Sequence, residues 1–147
     1  MNSTNENPHI LVVDDEERMA ESLQTLLKGL DYEVDIAFDG NEGAEKIRKG
    51  SYDLIISDIK LPYKSGLELL NIARDLDSDA VVILMTAYAS LESAVDAISQ
   101  GAYDYLLKPF RLKTIQEKIE EFLQLTYPLN EKKKKKNGEQ EYKEDEL

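Results

Sequence analysis

The chain has 147 residues, 41% of them hydrophobic, and no cysteine, which fits one globular domain with a tail and excludes a disulfide framework or a thiolate metal site. The formal net charge of −12 lies entirely before Pro128: residues 1–127 hold 24 acids and 12 bases, while the six acids and six lysines beyond them cancel. A body that acidic repels a nucleic-acid backbone and suits a divalent cation or a basic partner surface.

The first eight residues, MNSTNENP, are polar and are read as a flexible N-terminus without an apolar h-region. Ile10 to Val13 is a continuous apolar run and predicts a buried strand; four acids, Asp14 to Glu17, follow it at once. Met19, Leu23, Leu26, Leu27 and Leu30 then lie on one helical face, with Gly29 placed to end the helix. Val34 to Phe38 predicts a second strand, and Asp39 with Glu42 a capping box for a short helix that Gly50 can close. Leu54 to Ile56 predicts a third strand, ending at Ser57 and Asp58. Ser65 with Glu68 predicts a second capping box, opening a helix with Leu67, Leu70 and Ala73 inward. Val81 to Met85 is the fourth run and ends at Thr86. A helix carrying Leu91, Ala94, Val95 and Ile98 follows, stopped by Gly101. Tyr103 to Leu107 meets Lys108 and Pro109, and a last helix has Leu112, Ile115, Ile119 and Phe122 at helical spacing.

Five strand–helix units with strands apolar on both faces predict an open α/β parallel sheet covered by helices on both sides. The pattern alone does not give the strand order. The predicted domain spans residues 9–127. Residues 128–147, including Lys132 to Lys136, are polar and are read as a charged disordered tail or linker. No apolar run approaches the ~20 residues of a membrane span, and the expected location is the cytoplasm, away from membranes.

Ligands of such a sheet bind at the carboxyl ends of its strands. Asp14, Asp15, Asp58, Thr86 and Lys108 all fall there. Clustered carboxylates raise one another's pKa unless a cation compensates. Lys108 is one such cation, and a hard divalent ion with oxygen ligands, magnesium above all, suits the rest. A carboxylate is also a competent nucleophile toward phosphorus. Glu16 and Glu17 read as first-turn acids favoured by the helix dipole, Glu16 being the one that could touch the site. His9 has no carboxylate register in the sequence and is read as non-functional.

The strings ILVVDDEE, YDLIISDIKLP, LPYKSG, LMTAY and YDYLLKPF, in this order and spacing, resemble the receiver domains of two-component response regulators over roughly residues 8–125. Within that family the stretch from Thr86 to Phe110 is most similar to nitrogen-regulation-type receivers. The resemblance implies a flavodoxin-like doubly wound sheet of order 2-1-3-4-5. It implies that Asp58 accepts a phosphoryl group from a phosphohistidine on a sensor histidine kinase or histidine phosphotransfer protein. Asp15, Asp58 and the Lys60 backbone carbonyl would bind Mg2+, for which Mn2+ can substitute, with Asp14 helping to position the ion. Lys108, ahead of a cis Lys108–Pro109 bond, and Thr86 would contact the phosphoryl oxygens. Tyr105 would swing inward as Thr86 moves, altering the surface of the fourth helix, fifth strand and fifth helix. Lys60 and Tyr88, each two residues past a site residue, would tune the phosphoryl lifetime. In this reading the chain is a signalling switch and not an enzyme with turnover, the receiver binds no nucleic acid itself, and a phosphorylation-dependent homodimer, a downstream effector or a fused output domain are all compatible with it.

Three alternatives stand beside this reading. A haloacid-dehalogenase-type phosphatase needs an acid two residues after its nucleophile, where this chain has Lys60. A flavodoxin needs a phosphate-cradling first loop, where this chain has four acids. A degenerate receiver, serving as a phosphorylation-independent interaction module, would be expected to lack some of the five key residues, and all are present.

Overall fold

A computed structural model describes residues 7–76, 78–87 and 91–126, without the side chains of 91–93 and 123–126. The chain divides into two compact units, Met1–Phe110 and Arg111–Leu147. The first unit holds β1 (His9–Val13), α1 (Glu17–Gly29), β2 (Glu33–Ala37), α2 (Gly40–Lys49), β3 (Leu54–Asp58), α3 (Gly66–Asp75), β4 (Val81–Thr86), α4 (Leu91–Ser99) and β5 (Asp104–Leu107). The second holds α5 (Leu112–Thr126), a helix whose Ile115, Ile119 and Phe122 are buried, whereas Leu112, expected on the same stripe, is exposed.

The five strands are parallel in the order β2-β1-β3-β4-β5, the flavodoxin-like order. The apolar runs explain why: β1, β3 and β4 are central and buried nearly throughout, as strands covered on both faces must be. Alternation sorts their side chains. Leu11, Val13, Ile55, Val82 and Leu84 form one core cluster with Ala44 and Ile47 of α2, Leu69, Leu70 and Ala73 of α3 and Ala97 of α4. Ile10, Val12, Leu54, Ile56, Ile83 and Met85 point to the other face and are equally buried, as are Ala20, Leu23 and Leu27 of α1.

The helix ends follow the sequence signals with informative departures. Ser65 and Glu68 form a reciprocal capping box at α3, with the Ser65 N–H donating to Glu68 Oε1 at 2.8 Å and the Glu68 N–H to Ser65 Oγ at 3.1 Å. At α2, Asp39 Oδ1 accepts from the Glu42 N–H at 2.7 Å, but Glu42 reaches back one residue further, to the Phe38 N–H. Gly101, at φ 107°, ends α4 in the left-handed region that its missing Cβ permits. Gly29 does not play that part for α1: it is the last helical residue, and Asp31, at φ 72°, takes the left-handed turn instead, as a short polar residue can. On α4, Val95 and Ile98 are exposed and Ala97 enters the core, while the Leu91 side chain lies outside the described residues.

Near the amino ends of β1 and β3 a polar cluster ties three strands together. His9 Nε2 lies 3.1 Å from Asp35 Oδ2 of β2, the Tyr52 hydroxyl donates to the same oxygen at 2.7 Å, and His9 Nδ1 lies 3.1 Å from the Ser51 carbonyl. The carboxylate partner that the sequence did not supply for His9 is thus Asp35. Burial raises the Asp35 pKa, but the Tyr52 hydrogen bond and the nearby His9 and Lys46 outweigh it and hold the carboxyl below its ordinary value. Burial and the Asp35 hydrogen bond push the Tyr52 phenol up.

Two predictions follow from the packing. A Cβ on Gly66 would lie 2.4 Å from the Asp58 carbonyl oxygen, a backbone atom that cannot step aside, so Gly66→Ala should destabilise the fold by about 2 kcal/mol in urea denaturation. Because the Asp35 pKa is lower folded than unfolded, its contribution is full above the unfolded value of about 3.9 and fades as pH falls through the folded value. The Asp35 side chain is 43% exposed, so Asp35→Asn should cost about 1 kcal/mol or less at pH 6, and the gap from the native chain should close toward pH 3.

Candidate functional site

In this sheet β1 has β2 on one side and β3 on the other, so consecutive crossovers leave it in opposite directions and a crevice opens at the carboxyl ends of β1 and β3. Asp14 follows β1 directly, and Asp58 is the last residue of β3. Their strands pair in register, Val13 beside Ser57, which places the two acids side by side. Thr86 is the last residue of β4 and is buried, one position beyond Met85, which pairs with Asp58. Thr86 thus presents its hydroxyl at the carboxyl end of a strand.

Lys108 completes the set. Its backbone N–H donates to the Thr86 carbonyl at 2.8 Å, the Lys108–Pro109 bond is cis, and its side chain is only 8% exposed. The ammonium donates to Asp14 Oδ2 at 2.7 Å, Asp58 Oδ2 at 3.1 Å and Glu16 Oε1 at 3.2 Å. Asp15 is exposed, and one carboxylate oxygen from each of Asp14, Asp15 and Asp58 can be chosen so that all lie within 4.8 Å of one another. This gathers on one edge every strand-end residue that the sequence singled out. Glu16 joins them by direct contact with Lys108, a role that its position in the DDEE run hinted at but did not assign.

The electrostatics are uneven. Burial pushes the Asp58 carboxyl above its ordinary value and the Asp14 charge adds to this, while the Lys108 hydrogen bond and charge and the Lys60 backbone N–H pull the other way. Burial works against the Lys108 ammonium, yet hydrogen bonds to Asp14 and Asp58 outweigh it and raise its pKa. One ammonium thus serves Asp14, Asp58 and Glu16, with Asp15 beside them. Carboxylates in that excess fit a hard divalent cation with oxygen ligands. An open cleft of about 400 Å³ lined by Asp15, Ile59, Lys60, Leu61, Pro62 and Ser65 borders the cluster at Asp15.

The loop carrying Asp58 is held from several sides. The Ile59 N–H donates to the Met85 carbonyl at 2.9 Å, the Gly66 N–H to the Ile59 carbonyl at 2.8 Å, and the buried Ser57 hydroxyl to the Asp58 carbonyl at 2.9 Å. Lys60 is exposed at the cleft, and Tyr105 is half-buried against the core cluster of α2, α3 and α4. Tyr88 lies outside the described residues, as do residues 1–6 and the Lys132 to Lys136 run.

Comparison with known proteins identifies the family of this fold. The model of the response regulator receiver domain matches residues 10–120. The transcriptional regulatory protein DltR of Streptococcus agalactiae is 41% identical over 110 residues, which are 75% of this chain and 49% of that protein. The transcriptional regulatory protein ZraR of Escherichia coli is 36% identical over 127 residues, 86% of this chain and 29% of that protein. The chain therefore spans about half the length of one curated relative and under a third of the other. The structure of the response regulator TrrA from Thermotoga maritima, in complex with Mg(2+)-BeF, is 39% identical, with a TM-score of 0.70 over 79% of this chain and 99% of that one.

The ion-pair geometry generates a test. In the absence of divalent cations, Lys108→Met leaves the buried Asp14 carboxylate beside Asp58 without a counter-charge and should cost about 3 kcal/mol in urea denaturation. Adding Asp14→Asn to that variant should recover part of the loss, because it removes the stranded charge. A double variant no more stable than Lys108→Met would contradict this account of the site.

Proposed function

Because this chain belongs to the response regulator receiver domain family, we propose that it is a phosphorylation switch whose acceptor is Asp58. The observation that carries the reading is the Lys108 ammonium held between Asp58 and Asp14 at the carboxyl edge of the sheet. In the proposed reaction an Asp58 carboxylate oxygen attacks the phosphorus of a phosphohistidine on a sensor kinase or phosphotransfer protein. The new O–P bond forms as the N–P bond breaks, and the imidazole leaves with the electron pair. The protein's part in such a transfer is positioning and charge compensation. Lys108 neutralises charge on the transferring oxygens, and the Thr86 hydroxyl donates to one of them. Asp14, Asp15, Asp58 and the Lys60 carbonyl would hold Mg2+, which when bound would neutralise further charge on the phosphoryl oxygens.

The switch rests on differential contact: at rest Thr86 and Lys108 have no phosphoryl oxygen to hold, in the phosphorylated state they do, and this biases a two-state equilibrium. Tyr105, half-buried against the core, would follow Thr86. The large apolar residues Val95 and Ile98 of α4 and Leu107 of β5 are exposed and suit a surface whose partner depends on that state. Lys60 and Tyr88 are proposed to tune the lifetime of the phosphoryl group, residues 9–127 to form the receiver, and the residues beyond to act as tail or linker. The output, whether a fused transcriptional domain like those of longer regulators or a separate effector, is part of the same proposal.

The test is intact-mass analysis after incubation with acetyl phosphate, with and without Mg2+, of the native chain beside Asp58→Asn. The native chain should gain one phosphoryl group only with Mg2+, and Asp58→Asn should gain none. A folded native chain that neither takes the group from acetyl phosphate nor from any phosphorylated kinase would instead be the phosphorylation-independent module.

A further inference from the structure

A lysine ammonium has three N–H donors. In Lys108 all three are engaged, by Asp14, Asp58 and Glu16. A phosphoryl oxygen arriving at Asp58 can therefore be bound by Lys108 only if one of these acceptors is released. The three differ sharply in what release costs. The Asp14 side chain is 0% exposed, and losing its ammonium strands a buried charge. Asp58 is itself the residue that receives the group. Glu16 is 67% exposed, makes the longest of the three contacts, and passes its carboxylate to water when it lets go.

From this we infer that Glu16 is the exchangeable ligand of Lys108: it occupies, in the resting state, the place that a phosphoryl oxygen takes, and so sets how readily Lys108 engages the donor. The inference rests on Asp58 being the phosphoacceptor. Glu16 is a positioning residue, acting through Lys108 rather than on the reacting atoms. Its backbone fits it for this. The Glu16 N–H donates to Asp14 Oδ1 at 2.9 Å, so the residue is anchored to the buried acid, while its side chain makes no cap for α1 and is spared for Lys108. Its neighbour Glu17 carries the same charge as the first residue of α1 and is likewise exposed, but only Glu16 of the two pairs with Lys108 among the described residues.

The experiment measures the rate of Asp58 phosphorylation against acetyl phosphate concentration at saturating Mg2+. In this step the Asp58 oxygen–phosphorus bond forms and acetate departs with the electrons of the broken one. Glu16→Gln weakens the competing acceptor, and Glu16→Asp keeps the charge but shortens the reach by one methylene. Both should lower the half-saturating concentration by about two- to five-fold, the range for loss of an exposed ion pair, with the maximal rate changed less. Glu17→Gln should leave it near the native value. Equal effects of Glu16→Gln and Glu17→Gln, with Glu16→Asp native-like, would reduce the role of Glu16 to general charge and overturn the inference. A higher half-saturating concentration in the Glu16 variants would also overturn it, by showing that Glu16 holds Lys108 in its productive place.

A second readout needs no phosphoryl transfer. The 15N-labelled ammonium signal of Lys108 should shift on Glu16→Gln and stay put on Glu17→Gln. Identical signals in all three proteins would sink the inference by itself. Failure of the native chain to become phosphorylated on Asp58 would strike the proposed function instead.

Discussion

One ammonium holds the site together, and the strand order makes its position demanding. Lys108 follows β5, whereas Asp58 ends β3 and Asp14 follows β1. With neighbouring strands about 4.8 Å apart, the lysine starts roughly two strand spacings from Asp58 and three from the strand that leads to Asp14. It must cross the end of β4 to reach them. The fold meets this demand by tying the Lys108 backbone to the Thr86 carbonyl at the end of β4. A compact point charge on a flexible stem suits this meeting of three carboxylates from different directions, where the planar fork of an arginine does not.

The same demand reaches into the turn between β3 and α3. Asp58 can answer Lys108 only if its own backbone stays in place, and that backbone is crowded on purpose. Gly66 brings the start of α3 against the Asp58 carbonyl, closer than any side chain would allow. Gly40 does the same where α2 begins: its N–H donates to the Pro62 carbonyl at 3.0 Å, and a Cβ there would lie 1.9 Å from the Lys64 carbonyl oxygen. Between these two contacts Tyr63 takes φ 75°, a conformation unusual for a bulky residue. Its ring projects into solvent, 76% exposed, so side-chain packing adds nothing to the cost of that backbone. The loop that carries Asp58 is thus clamped from two helices at once, the kind of support that preorganises a site.

Much of this was legible in the sequence, and the reason is physical. Strands buried on both faces must be apolar throughout, so β1, β3 and β4 announced themselves, and the polar residues that interrupt each run marked the sheet edge where the site lies. The Ser65–Glu68 box could be read because it is a local exchange of hydrogen bonds. What escaped depended on distance in the chain. The pairing of His9 with Asp35 spans 26 residues and needs the β1–β2 register, which no pattern of either segment encodes. The Glu16 contact with Lys108 spans 92 residues. Gly29 and Asp31 failed in a different way: either residue can take a left-handed turn, and where the last turn of α1 ran out decided between them. On α4 the apolar spacing of Val95 and Ile98 marks a face that the core does not take up, so periodicity alone assigned it inward.

The two ends of the sheet show where the fold accepts electrostatic imbalance. Near the amino ends of β1 and β3, His9, Asp35, Tyr52 and Asp53 meet partner to partner: the ring nitrogens face oxygens, the phenol donates to the carboxylate, and the His9 N–H donates to Asp53. That end binds β1, β2 and β3 to one another and gains stability from doing so. At the carboxyl ends, three acids share one ammonium with a fourth, Asp15, beside them, and burial opposes the charge on Asp58 rather than relieving it. A sequence selected for stability alone would replace one of those acids, and the strand ends would accept the change, since none of them is needed to form β1 or β3. Local consistency elsewhere in the chain, set against its absence at this one edge, is the mark of a site retained for what it binds. That excess of negative charge is the kind that a hard divalent cation with oxygen ligands redresses.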